Sequence, residues 1–132
     1  MRKKILLIIG LLLITCACSS SYLKNINLKD LDKRLDKKET FVLYLTNAEG
    51  KSLKNTLDKV SKNNKVNSYY LDTEKLNDND LKSLKEKFMF EDTNIIIFVK
   101  DGKEETTLSR ISDLYISQKD LEQELKLQGY IK

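Results

Sequence analysis

Two β-rich runs separated by a single helix-length segment constrain the fold more than any other feature of this chain. "TFVLYL" (40–45) is continuous, apolar and bounded by polar residues, the pattern of a strand covered on both faces. A short polar turn follows, Asn47, Ala48, Glu49 and Gly50, and then a segment with Leu53, Leu57 and Val60 at helical spacing. "VNSYYLD" (66–72) supplies the second run. A helix-length link between consecutive strands is what parallel pairing requires, so residues 40–72 read as a βαβ unit.

The flanking segments carry their own boundary signals. Upstream, Asn27 stands as an N-cap three residues before Asp30, with Leu28, Leu31 and Leu35 on one helical face. Downstream, Asn77 or Asp78 caps a helix whose apolar face is Leu81, Leu84 and Phe88. "NIIIFVKDGKEETTLSRI" reads as two strands joined through Asp101 and Gly102, a pair that favours a tight hairpin. The last helix starts at Ser117 with Asp120 in a capping box, carries Leu121 and Leu125, and stops at Gly129. The expected architecture is α/β: a central mixed sheet of about four strands, a βαβ unit followed by a β-hairpin, flanked by helices.

The first residues imply an address. Arg2, Lys3 and Lys4 precede an apolar run from Ile5 to Ile14, shorter than the roughly 20 residues a membrane helix needs, so the segment reads as an export signal. "ITCAC" followed by serines resembles the lipobox of bacterial lipoproteins, in which a small residue precedes the cysteine that is lipidated and becomes the new N-terminus. Cys18 follows Ala17 and fits; Cys16 follows Thr15, a poorer cleavage context. An uncleaved anchor and a secretory signal cut nearby are the alternatives. The expected organisation is a signal peptide over 1–17, a lipid-anchored tether over 18–26 and one domain over 27–132. Within it, serines 19 to 21 and "YLKN" reach only about 25 Å at roughly 3.5 Å per extended residue, so the domain is expected close to the outer face of the cytoplasmic membrane.

Composition removes several classes of function. Loss of Arg2, Lys3 and Lys4 with the signal would take the 24 basic side chains to 21, against 20 acidic ones. A nearly neutral domain with few aromatics lacks the concentrated positive stripe that nucleic acid requires. Both cysteines lie at 16 and 18, and histidine is absent. With Cys18 lipidated no thiol is left in the folded part, no structural disulfide can form, and Ser-His or Cys-His nucleophiles are excluded. Any enzyme chemistry would rest on carboxylates, Lys, Tyr or Arg, and no cofactor is expected.

The order of elements, with "TFVLYLTN" before the turn, "YYLDTEK" after the second strand, "IIIFVKDGK" at the hairpin and "LEQELKLQGYI" at the end, resembles the thioredoxin fold over roughly residues 26–131. In general hydrophobic pattern it is most similar to small thioredoxin-like proteins of low-GC Gram-positive bacteria, including accessory proteins of bacteriocin transport. The resemblance implies a C-x-x-C at the turn, where a helix N-terminus favours a thiolate; this chain has Asn47 and Gly50 at the matching positions. It implies a cis-proline before the third strand; the chain contains no proline, and Asn94, or Thr93 one residue earlier, falls there. It implies a buried carboxylate near Phe41, also absent. A cysteine pair restored at 47 and 50 is expected to lie within disulfide distance.

Other candidates have structural readings beside the functional ones. Asn47 and Glu49 form either an anion site at a helix start or an ordinary cap and dipole partner. Asp72, Glu74, Asp78 and Asp80 lack the order of a calcium loop, and capping accounts for Asp78 and Asp80; no metal is expected. The stretch from Lys24 to Lys38 has six basic and three acidic residues and is either a contact with anionic headgroups or wall, or a solvated helix face. Tyr69, Tyr70, Phe88 and Phe90 either line a groove or pack in the core. The expectation is a membrane-anchored extracytoplasmic lipoprotein whose domain is redox-inactive and serves as a binding or accessory module for a protein partner. A bacteriocin accessory or immunity lipoprotein, and a subunit supporting an oxidoreductase, are the alternatives.

Overall fold

The computed structural model describes residues 22–47, 50–90, 94–104, 110–112 and 114–131. Six strands and four α-helices lie along these residues. They are β1 (Lys24–Asn25), α1 (Leu28–Asp36), β2 (Phe41–Thr46), α2 (Lys51–Asn64), β3 (Ser68–Asp72), α3 (Asp78–Phe88), β4 (Ile95–Lys100), β5 (Lys103–Glu104), β6 (Arg110–Ile111) and α4 (Gln118–Leu127). One turn of 3₁₀ helix, Thr73–Lys75, joins β3 to α3.

The expected βαβ unit is present: β2 and β3 pair in parallel, Leu43 opposite Tyr69 and Leu45 opposite Leu71. β4 runs antiparallel on the other side of β2, with Leu43 opposite Ile97. The sheet order is β1-β3-β2-β4-β5, and β6 also pairs with β4. Among the described residues the second hairpin strand expected from the sequence is represented by β5 and β6, both antiparallel to β4.

Because β2 is covered on both faces, its alternate side chains enter two cores. Val42 and Tyr44, with Ile96 and Phe98 of β4, pack against Leu53, Leu57 and Val60 of α2 and Leu121 and Leu125 of α4. Phe41, Leu43 and Leu45, with Ile95, Ile97 and Val99, pack against Leu31 of α1 and Leu84 and Phe88 of α3. Helices α2 and α4 therefore lie on one face, and α1 and α3 on the other. The caps read from sequence form: Asn27, Asn77 and Ser117 each accept a hydrogen bond from the backbone N–H three residues on. At the β4–β5 turn Asp101 and Gly102 both have positive φ, 52° and 77°. A side chain at Gly102 would collide with the Leu35 carbonyl, so glycine is needed there for space as well as for φ.

The folded domain extends further toward the N-terminus than the sequence suggests. Residues from Tyr22 onward, expected within the tether, belong to it: Leu23 and Ile26 are buried at 2% and 3% exposure, and β1 adds to the sheet in parallel beside Tyr69 and Tyr70. The reason is a contact remote in sequence. The N–H groups of Tyr22 and Leu23 donate to one carboxylate oxygen of Asp58, at 2.8 and 2.7 Å, from the middle of α2. The Ile26 N–H then donates to the Tyr70 carbonyl at 2.9 Å. Asp58→Ala should lower stability by about 3 kcal/mol or more, since it removes two hydrogen bonds to a charged acceptor, each contributing about 1.5–3 kcal/mol. In a hydrogen-exchange experiment the Ile26 amide should lose protection while the amides of β2 keep theirs.

Candidate functional site

The C-terminal ends of β2 and β3 and the start of α2 meet at the turn that follows Thr46. The Gly50 N–H donates to the Asn47 carbonyl at 3.2 Å, closing the chain on itself, and the Lys54 N–H takes up the Gly50 carbonyl at 3.0 Å as α2 begins. The helix starts without a side-chain cap, and Gly50 occupies the capping position. Asn47 points its amide oxygen across the turn, where it accepts from Asn94 Nδ2 at 2.8 Å. Ala48 and Glu49 lie outside the described residues, as do Cys16 and Cys18.

Asn94 organises the site. It stands immediately before β4 in the left-handed region, φ 64°, which a short polar side chain tolerates. Its N–H donates to the Leu45 carbonyl at 2.6 Å. Its side-chain oxygen accepts from the Asn47 N–H at 3.2 Å and lies 3.1 Å from the Tyr44 hydroxyl and 3.4 Å from Thr46 Oγ1. A backbone N–H can only donate, so the Asn47 contact fixes which end of the Asn94 amide faces inward. The Tyr44 hydroxyl is also 3.0 Å from the Gly50 carbonyl, and its single proton serves one of these two acceptors at a time. Thr46 Oγ1 donates to the Asn47 carbonyl at 3.0 Å.

The space beneath the turn is therefore filled by hydrogen-bonded groups. A Cβ at Gly50 would collide with the Tyr44 hydroxyl and with Asn94 Oδ1, and would come within 2.7 Å of Thr46 Oγ1. Gly50 has φ −85°, so glycine is required here for room and not for backbone freedom. The turn brings positions 47 and 50 together, as a restored cysteine pair would require, and a side chain at 50 must displace the network. Proline at Asn94 is excluded on two counts, since its ring holds φ near −65° and it has no N–H for Leu45. No cis peptide bond occurs among the described residues.

Phe41, near which the resemblance placed a buried carboxylate, is at the far end of β2 and packs with α1 and α3. The polar group under the turn is the hydroxyl of Tyr44, a residue of the apolar run that sequence reasoning passed over. The available signal was parity: Tyr44 and Thr46 share a strand face and precede the turn. Burial pushes the Tyr44 phenol above its ordinary value of 10.0, a hydrogen bond with Thr46 acting the other way.

The remaining candidates go to structural duties. Asp72 accepts from the Glu74 N–H at 3.0 Å, and Asp78 and Asp80 occupy the first turn of α3. Phe88 and Phe90 are core residues. Tyr69 meets Phe41 edge-on at 5.5 Å beneath the Arg34 guanidinium, whereas Tyr70 packs with the opposite core and lies under the Lys54 amine, 3.8 Å from its ring. The four aromatics do not share one groove.

Gly50→Ala should destabilise the protein by about 1–3 kcal/mol, the usual cost of overpacking, measured as a shift in urea midpoint with unchanged slope. Tyr44→Phe should cost about 1 kcal/mol at neutral pH through the lost donor. Its pH dependence has a definite sign. A phenol whose folded pKa is raised contributes stability that is complete below the unfolded value of 10.0 and is lost as pH rises through the folded value. The stability gap between the wild type and Tyr44→Phe should therefore narrow on raising the pH above about 10.

No family model and no curated protein matches the chain. Among solved structures it is similar to oxidised thioredoxin O2 of Arabidopsis thaliana, with a TM-score of 0.62 and 16% identity over 83% of this chain and 96% of the other. It is similar to a thioredoxin mutant of Halobacterium salinarum at 0.60 and 10%, over 86% and 96%. A thioredoxin mutant of Entamoeba histolytica matches at 0.58 and 16%, over 80% and 98%. At these identities the likeness speaks for architecture, and this chain has the thioredoxin-like α/β fold.

Proposed function

We propose that this protein is a lipoprotein, anchored through Cys18 on the outer face of the cytoplasmic membrane, whose thioredoxin-like domain binds a protein partner and performs no thiol-disulfide exchange. The observation that carries this reading is the filled turn. Where dithiol chemistry needs a sulfur nucleophile and room to form a mixed disulfide, the chain has Asn47 and Gly50, joined to Asn94 and Tyr44 by hydrogen bonds. The nearest hydroxyl nucleophile, Tyr44, is fully buried and favours its neutral form, so it is poorly placed to replace the sulfur. What the fold retains is a sheet end and a helix start tied together by this network.

The anchor rests on the sequence Ala17-Cys18-Ser19 after the apolar run. No helix of the described residues is long and apolar enough to cross a membrane.

The full-length protein, purified in detergent from a lipoprotein-processing bacterium, should leave the rate of insulin reduction by dithiothreitol at that of buffer. Turnover above buffer would overturn the non-redox assignment. Intact mass should show a diacylglycerol on Cys18, and Cys18→Ser should abolish it; lipid retained on Cys16 would move the anchor. Crosslinking in intact cells followed by mass spectrometry should recover a protein partner joined to the domain.

A further inference from the structure

The structure fixes where the N-terminal segment joins the domain, and the join lies in an unusual electrostatic setting. Asp58, which holds the Tyr22 and Leu23 N–H groups, belongs to the helical stripe Lys51, Lys54, Asp58, Lys62, continued by Lys65 at the C-cap. The spacings of three and four residues place these side chains along one side of α2, opposite Leu53, Leu57 and Val60, which are buried. Lys59 flanks the stripe, and Lys51, Lys59, Lys62 and Lys65 are exposed. The one carboxylate of the helix is engaged by the chain's own backbone.

The other helices have no such excess. α1 carries Lys29, Lys33 and Arg34 against Asp30, Asp32 and Asp36; α3 carries Lys82, Lys85 and Lys87 against Asp78, Asp80 and Glu86. In α4 three acidic residues outnumber two lysines. Between Lys51 and Asn64, α2 has four lysines and one aspartate. Among the helices the positive excess thus lies on the sheet face that α2 shares with α4, away from α1 and α3.

We propose that this lysine face of α2 is a docking surface for anionic lipid headgroups, and that it holds the domain on the membrane in one orientation, with α3 turned outward. The proposal rests on the anchor at Cys18. Four peptide links separate Cys18 from Tyr22, a span of at most about 14 Å, so a lipid on Cys18 keeps the middle of α2 within that distance of the headgroup layer, plus the width of a side chain. Lysines beside an anionic surface at such range, within or near a Debye length, are attracted to it. α1 itself is balanced between Leu28 and Asp36, and the basic excess anticipated in the sequence between Lys24 and Lys38 comes from Lys24, Lys37 and Lys38 outside that helix.

The test uses full-length, lipidated protein, in which Cys16 has left with the signal and the Cys18 sulfur is blocked. A fluorophore is attached at Lys62→Cys on α2 or at Lys82→Cys on α3, and the protein is reconstituted in vesicles containing a headgroup-attached quencher. In phosphatidylglycerol-containing vesicles the label at 62 should be quenched several-fold more than that at 82. The difference should shrink in vesicles of phosphatidylcholine alone, and in the Lys51→Glu, Lys59→Glu background. Equal quenching at both positions in the anionic vesicles overturns the proposal, and so does an asymmetry indifferent to lipid charge and to charge reversal, which would mean that the short tether alone orients the domain. An intact mass without diacylglycerol on Cys18 overturns the anchor reading itself, and the proposal with it.

Discussion

The amide of Asn94 is the point on which the arrangement of this end of the molecule depends. One side chain engages the Asn47 N–H with its oxygen and the Asn47 carboxamide with its nitrogen, while its own backbone N–H is spent on Leu45. It thereby ties the start of β4 to the end of β2 and to the turn that leads into α2. Buried polar groups of this kind stabilise only when they are satisfied together, because a single unpaired member costs more than its bond contributes. The left-handed backbone of Asn94, the glycine at 50 and the hydroxyl of Tyr44 are consequences of that demand: the first aims the amide, the second leaves room for it, and the third supplies a further donor.

The same geometry explains how a fold associated with exposed dithiols accommodates a turn without them. A helix N-terminus offers free N–H groups and a favourable dipole to whatever is placed there. Here the described groups beneath the turn are turned toward one another. Among the helices the positive excess lies along α2, and the N-terminal segment is fastened to that helix through Asp58. Cohesion at one end of the sheet and electrostatics on one face are separate features of the same short chain.

Much of this fold was legible because its signals are local. "TFVLYL", the Leu53–Leu57–Val60 spacing and "VNSYYLD" suffice for a parallel βαβ unit, and Asp101-Gly102 suffices for a hairpin, since turn chemistry and periodicity are properties of neighbouring residues. Asn27, Asn77 and Ser117 were readable as caps for the same reason. What stayed hidden depends on residues distant in the chain. β1 exists because Asp58 binds Tyr22 and Leu23 from 36 and 35 residues away. Asn47 looked like a helix cap because nothing nearby reveals that Asn94, 47 residues on, will take its amide. Tyr44 was indistinguishable from the apolar neighbours in its strand until the position of Gly50 showed why a hydroxyl is needed there. The positions 47, 50 and 94, singled out separately in the sequence, do meet in space, though as partners in a hydrogen-bonded network that the sequence did not announce.

The most direct measurement of the central claim, that hydrogen bonding and not thiol chemistry closes the turn, is amide hydrogen exchange at Asn47, Gly50 and Asn94 in the presence of reductant and of oxidant. Protection at these three amides comparable to that of the β2 and β4 amides, and unchanged by either reagent, is the result this account predicts. Rapid exchange at the turn while β2 and β4 remain protected, or protection that changes with the redox conditions, would contradict it.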